Sequence, residues 1–122
     1  MQSLFLALLF FHFLFDYPLQ GDFISRAKNR TNPIEGVPWK HAMFAHGFMH
    51  GFAVWIVTGL WTLAIVELFV HMFVDDLKCR KVLTFNQDQF IHIVCKLIYA
   101  YIAFYVIGPE IYIMDTTNVQ VV

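Results

Sequence analysis

Apolar residues form four stretches along this chain, separated by segments that are polar or rich in glycine and proline. The stretches cover residues 3–15, 41–58, 60–74 and 89–107. A helix needs roughly 20 apolar residues to cross a bilayer core of about 30 Å. We therefore expect four short transmembrane helices, with Gly59 as the turn between the second and the third.

The predicted fold is an all-α, polytopic membrane protein, a four-helix bundle made of two tandem helical hairpins. Residues 1–108 would form the transmembrane domain, with loops over 18–40 and 78–88 and a short extracytoplasmic tail over 109–122. A short amphipathic helix is predicted within the first loop, over residues 22–29. The first apolar stretch has no Lys or Arg before it and no small-x-small cleavage site after it, so we interpret it as a mature, short span rather than a signal peptide.

Composition supports membrane burial. Of 122 residues, 59% are hydrophobic and 14% are charged, whereas soluble domains average about 25% charged residues. The formal charge of −1 and the lack of a basic stripe argue against nucleic acid as a partner. The two cysteines, Cys79 and Cys95, cannot form a disulfide framework, and we expect both to be reduced.

Seven of the eight Lys and Arg residues fall in the two predicted loops. They are Arg26, Lys28, Arg30 and Lys40 in one loop, and Lys78, Arg80 and Lys81 in the other. Because cytoplasmic loops collect Lys and Arg, we predict a multi-pass inner-membrane protein with both termini outside the cytoplasm. Trp39 would then mark the inner interface, and Trp55 and Trp61 the outer one.

Every predicted span carries one pair of metal-ligand side chains four residues apart. The pairs are His12 and Asp16, His46 and His50, His71 and Asp75, and Asp88 and His92. Residues four apart lie on the same face of a helix, and the alternating direction of the spans places all four pairs in the cytoplasmic half. These eight side chains are the predicted metal ligands, and Asp16, Asp75 and Asp88 are also the predicted catalytic residues.

The mixture of imidazole and carboxylate favours a divalent transition metal. We predict one or two ions, with zinc first and iron or manganese as alternatives. Two other interpretations remain open at this point: a hydrogen-bonded cluster that only holds the helices together, and haem with two histidine ligands, which the neighbouring aspartates disfavour.

Other residues inside the spans have predicted structural roles. Glu67 and Lys96 fall at similar depths and are predicted to form an interhelical ion pair. Gly47 and Gly51 form a G-x-x-x-G pattern that permits close helix approach, and His41 is predicted to be a surface residue.

Polar residues near the ends of the spans are predicted to lie at the interface or to support the histidines. Lys78 and Asp76 are predicted to be solvated at the inner interface. Gln20, Asp22 and Gln89 are either partners that orient the histidines or ordinary loop residues.

The chain resembles a family of small phage and bacterial inner-membrane proteins defined by a domain of unknown function. The likeness covers about residues 4–95. It is carried by His12-x-x-x-Asp16-Tyr-Pro-Leu-Gln20, the His46 and His50 span, His71-x-x-x-Asp75-Asp-Leu-Lys78, and Asp88-Gln89-x-x-His92. The resemblance implies a polytopic, phage-type membrane protein. It does not imply any particular activity. H-x-x-x-D on membrane helices is also distantly similar to membrane-bound metal-dependent hydrolases.

The leading functional hypothesis is therefore a metal-dependent hydrolase that acts near the cytoplasmic face on a lipid-like or lipid-linked substrate. The alternative is a non-enzymatic protein whose His/Asp cluster is structural and which binds a partner or modifies a host. Cation transport is the third hypothesis. Membrane lipid is the predicted partner, and a homo-oligomer or a host membrane protein are further partners that the sequence leaves open.

Overall fold

The computed structural model describes residues 1–108, and every regular element in that range is helical. The elements are α1 (Gln2–Asp16), α2 (Gly21–Ala27), α3 (Trp39–Thr58), α4 (Trp61–Cys79) and α5 (Phe85–Tyr101), which continues as a π-helical segment over Ile102–Ile107. The all-α prediction is confirmed, and so is the short helix in the first loop. The predicted tail over residues 109–122 lies outside the described residues.

The four long helices form a ring in which each contacts two others. α1 packs against α3 and α5, and α4 packs against the same two helices. One end of the bundle is filled by a buried apolar cluster from the start of α1, the end of α3, the start of α4 and the end of α5. Its members are Leu4, Leu8, Val54, Val57, Leu63, Tyr99, Ala100 and Ala103. Helices that follow one another around the ring therefore run in opposite directions.

The most extensive packing joins α3 to α4. A Cβ atom on Gly51 would lie 2.6 Å from the backbone oxygen of Ala64, and one on Gly47 would lie 2.7 Å from Cγ of Met72. At Gly51 the backbone of α4 leaves no room for a Cβ atom, and at Gly47 the Met72 side chain would have to move, so the G-x-x-x-G pattern permits the close helix approach that was predicted. Gly59, with φ of 72°, closes the predicted turn in the left-handed region. Because α3 belongs to the first predicted hairpin and α4 to the second, this packing joins the two hairpins.

The first loop covers residues 17–38 and contains α2, close to its predicted bounds of 18–40, whereas the second covers residues 80–84 and is shorter than the predicted 78–88. At the start of α5, the Thr84 hydroxyl accepts a bond from the Gln87 backbone N–H at 3.2 Å, and the Gln87 side chain accepts one from the Thr84 N–H at 2.9 Å. This capping box starts the helix four residues before the predicted position.

One continuous helical segment among the described residues, Phe85–Ile107, is long and apolar enough to cross a membrane. α1 and α2 would pass the same test together, but they are bent by 84° relative to each other. α1 alone has 15 residues, and α4 carries acidic side chains within its length. These features explain why α1 and α4 do not qualify by length and composition. By length and composition alone, the described residues thus give one membrane-spanning segment rather than the predicted four.

Candidate metal centre

The end of the bundle opposite the apolar cluster holds a group of buried ligand-type side chains. Asp16, in the last turn of α1, points its Oδ1 atom at three imidazoles. This oxygen lies 3.2 Å from Nε2 of His46, 3.1 Å from Nε2 of His50 and 3.7 Å from Nε2 of His71. The four side chains, which we call the four-ligand cluster, have ligand atoms that all lie within 4.8 Å of one another.

Helix geometry explains how three elements build the four-ligand cluster. His46 and His50 are four residues apart and share the inward face of α3. His71 reaches the same point from α4, which the two glycines of α3 allow to approach closely. For metal–ligand bonds of about 2.0–2.1 Å, the ligand atoms of a tetrahedral site lie about 3.3–3.4 Å apart. The distances from Asp16 Oδ1 bracket this value.

Several imidazole nitrogens in this region lack partners. Within the described part of the chain, no hydrogen bond is formed by Nδ1 or Nε2 of His50, His71 or His92, although all are buried. An unsatisfied buried polar atom costs about 1–3 kcal/mol. A bound cation would satisfy nitrogen lone pairs that the protein itself leaves without a donor.

The remaining predicted histidine ligands flank the four-ligand cluster. The rings of His50 and His71 stack with centroids 3.6 Å apart, and His92 stacks on His71 at 4.2 Å. His12 Nε2 lies 3.1 Å from Oε1 of Gln89. Gln89 in turn donates from Nε2 to Oδ2 of Asp16 at 2.8 Å. Gln89 is therefore an orienting partner of the cluster, one of the two roles its position allowed.

Asp75 and Asp88 do not join the four-ligand cluster but bind lysines instead. Lys28, from the segment after α2, contacts Asp75 and is itself 2% exposed. Nζ of Lys78 lies 2.6 Å from Oδ1 of Asp75 and 3.1 Å from Oδ2 of Asp88. The prediction that Lys78 is merely solvated is therefore wrong, because its partners draw it into the bundle.

These charges stabilise one another at the polar end of the bundle, beyond the apolar run of residues 60–74. Burial alone would raise the pKa of Asp75, but Lys28 and Lys78 lower it below its ordinary value. Burial alone would lower the pKa of Lys78, but Asp75 and Asp88 raise it above its ordinary value. Asp75 therefore joins Lys28 and Lys78 in one buried network of charges beside the four-ligand cluster.

Glu67 was not among the predicted ligands, although it lies in the same region. Its side chain contacts Lys96, which confirms the predicted ion pair. Its Oε1 atom also lies 3.3 Å from Nδ1 of His71, and it forms a second potential ligand group with His71 and His92. The signal was present in the sequence, because Glu67 and His71 are four residues apart, as in the other pairs.

The family model described as "Protein of unknown function (DUF3307)" matches residues 4–120. The chain belongs to the DUF3307 family. The match extends well past residue 95, where the expected resemblance ended. No curated protein and no solved structure matches the chain. The likeness to membrane-bound hydrolases thus gains no support from other proteins.

Proposed function

We propose that this protein is a multi-pass inner-membrane protein that binds a transition metal in the four-ligand cluster and hydrolyses a lipid-like or lipid-linked substrate near the cytoplasmic face. One observation supports it above all: four ligand atoms, from the half-buried Asp16 and the buried His46, His50 and His71, lie within 4.8 Å of one another.

The distribution of polar and apolar side chains supports burial in a membrane. Large apolar residues point outwards around the bundle, for example Leu6 at 63%, Phe69 at 63% and Phe90 at 67% exposure. The charged residues in the middle of α4 and α5 point inwards, with Glu67 at 0% and Lys96 at 2% exposure. A soluble protein rarely exposes apolar patches of this extent, whereas in lipid an apolar exterior around a paired polar interior is favourable.

Contacts between the first loop and the end of α4 support a topology in which both loops lie on the cytoplasmic side. Arg30, from the first loop, pairs with Asp76 near the end of α4 at 2.9 Å. Thr31 donates to the backbone oxygen of Cys79 at 3.2 Å. Both loops therefore meet at the polar end of the bundle, and the positive-inside rule would make this end cytoplasmic.

The residues around the cluster fit a hydrolytic role. A metal ion held there would polarise a phosphoryl or carbonyl oxygen and activate water for attack. Glu67 lies beside Nδ1 of His71, so a proton on that nitrogen would leave Nε2 free for the metal. Asp88 is the proposed proton acceptor, because its Oδ1 atom accepts no hydrogen bond among the described residues and lies 3.4 Å from Nε2 of His92, whose ring stacks on that of His71.

A structural metal is the second candidate, and the ligand count favours it. Asp16 and the three histidines would fill a tetrahedral zinc shell, which is typical of structural sites, whereas catalytic zinc usually has three protein ligands and one open position. A five-coordinate ion in the same cluster would keep one position for water. Cation transport is less well supported, because the apolar cluster at the opposite end contains no charged residue.

The test is to purify the protein in detergent and measure bound metal together with hydrolysis of lipid phosphate and carboxylic esters. His71→Ala and His46→Ala should each lose the metal and the hydrolytic activity. His41→Ala is the matched control, because His41 lies at the exposed start of α3 and should leave both unchanged.

The outcomes separate the candidates. Metal loss with loss of hydrolysis supports the enzyme. Metal bound at full occupancy without hydrolysis, and unfolding of the helices on chelation, would favour the structural role. Retention of metal in both histidine variants would refute the assignment of the four-ligand cluster.

A further inference from the structure

A cavity of about 280 Å³ opens at the polar end of the bundle, between α2, the end of α4 and the start of α5. Its lining includes three cations and three polar side chains: Lys28, Lys78, Lys81, Gln20, Ser25 and Asn29. We call it the lysine pocket. No carboxylate contributes to its lining in the part of the chain that the structure describes.

The ammonium groups that line the lysine pocket keep donors free for a ligand. Each lysine ammonium carries three N–H donors. Lys28 contacts Gln20 and Asp75, and Lys78 contacts Asp75 and Asp88, so each retains one donor. Lys81 is exposed. The three lysines carry three positive charges, and their carboxylate partners, Asp75 and Asp88, carry two negative charges. The pocket therefore has an excess of one positive charge.

The backbone conformation at Lys81 is a second, independent indication that the charge of this lysine has a role. Its φ of 61° lies in the left-handed region, where glycine is the usual residue after a helix. The surrounding bonds are those of a Schellman cap, with Val82 N–H bound to Leu77 O at 2.9 Å and Lys81 N–H bound to Lys78 O at 2.9 Å. A lysine held where glycine would be more stable points to a role for its charge.

The lysine pocket borders the four-ligand cluster. Asp75, which binds Lys28 and Lys78, has its Oδ2 atom 3.8 Å from Nε2 of His46. Asp88, the other partner of Lys78, contacts His92. A group seated among the lysines would therefore lie one side chain away from the candidate metal centre.

We propose that the lysine pocket binds a phosphate group that has no cation attached to it, either the headgroup phosphate of an anionic lipid or free phosphate. Several N–H donors around an excess positive charge match the multiple acceptor oxygens and the negative charge of a phosphate. That this phosphate belongs to the substrate rests on the function proposed above. The binding itself does not, because the lysines act without a metal.

The experiment uses the full chain in uncharged detergent after treatment with a chelator. Calorimetry measures binding of dihexanoyl phosphatidic acid, dihexanoyl phosphatidylcholine and inorganic phosphate. We expect saturable binding of phosphatidic acid, of inorganic phosphate or of both, and none of phosphatidylcholine. Tighter binding of phosphatidic acid identifies the lipid headgroup as the ligand, and comparable affinities identify free phosphate.

Three variants test the assignment to the lysine pocket. Lys81→Gln should weaken phosphate binding about tenfold, or ~1.4 kcal/mol. Lys81→Gly should weaken it equally while the fold is retained, because glycine suits the left-handed backbone. Lys40→Gln is the control for net charge, since Lys40 is exposed on the same side and does not line the pocket.

Saturable binding of phosphatidylcholine equal to that of phosphatidic acid would overturn the proposal, as would no binding of either phosphate probe. An equal loss of affinity in Lys40→Gln and Lys81→Gln would also overturn it. Because no metal is present in these measurements, their failure would leave the metal centre untouched, and failure of the metal centre would leave the lysine pocket standing.

Discussion

Glu67 and Lys96 form a buried pair. Replacing each of them singly should give destabilisations whose sum exceeds the destabilisation caused by replacing both in one protein. The two side chains are 0% and 2% exposed, so a charge left alone cannot be solvated by water. Removing one partner of a buried pair costs about 3–5 kcal/mol, whereas replacing both by apolar residues is often neutral. We expect Glu67→Leu and Lys96→Leu each to lower the free energy of unfolding by roughly that amount.

The double variant Glu67→Leu/Lys96→Leu should recover at least about 2 kcal/mol relative to the sum of the single effects. The measurement is reversible unfolding of chelator-treated protein in mixed micelles, followed by circular dichroism. Asp22→Asn with Arg26→Met is a matched control, because that pair also joins a carboxylate to a cation but its side chains are 85% and 65% exposed. Its coupling should be within about 0.5 kcal/mol. Additive effects at Glu67 and Lys96 would refute the reasoning.

Three further variants test the packing, the helix start and the support of the cluster. Gly51→Ala should lower the free energy of unfolding by about 1–3 kcal/mol, because the new Cβ atom would lie 2.6 Å from the backbone oxygen of Ala64; unchanged stability would contradict the close helix approach. Thr84→Ala should lower it by about 1 kcal/mol through loss of the capping box, and an effect below a few tenths would show that the cap is not formed. Gln89→Leu should weaken metal binding about 10- to 100-fold without abolishing it, because it removes the donor to Asp16; an unchanged metal affinity, measured by competition with a chelator, would contradict the orienting role.

The helices themselves could be predicted because each apolar run is bounded by a residue with a clear local effect. Gly59 ends α3 in the left-handed conformation, and Gly108 follows the last helical segment. The ends near the polar side were predicted less well. Hydropathy falls at Asp75, Asp76 and Lys78, which is typical of a loop, yet α4 continues to Cys79 because these side chains find partners across the bundle.

The four-ligand cluster could be predicted in part because spacing determines which side chains share a helix face. Spacing does not determine which long-range partner each side chain meets. Asp75 shares a face with His71 but binds Lys28, and that contact requires α2 to fold back at 84° from α1. Lys28 belongs to a segment that is indistinguishable from an ordinary cationic loop in the sequence. Its burial follows from the tertiary fold alone.

The most direct test of the metal centre is elemental analysis of the purified full chain in detergent, with the metal-to-protein ratio and the ligand shell read by X-ray absorption. We predict one or two bound zinc, iron or manganese ions with nitrogen and oxygen ligands at about 2.0–2.2 Å. Protein that stays folded, contains no metal after gentle purification and takes up none when zinc is supplied would contradict the account.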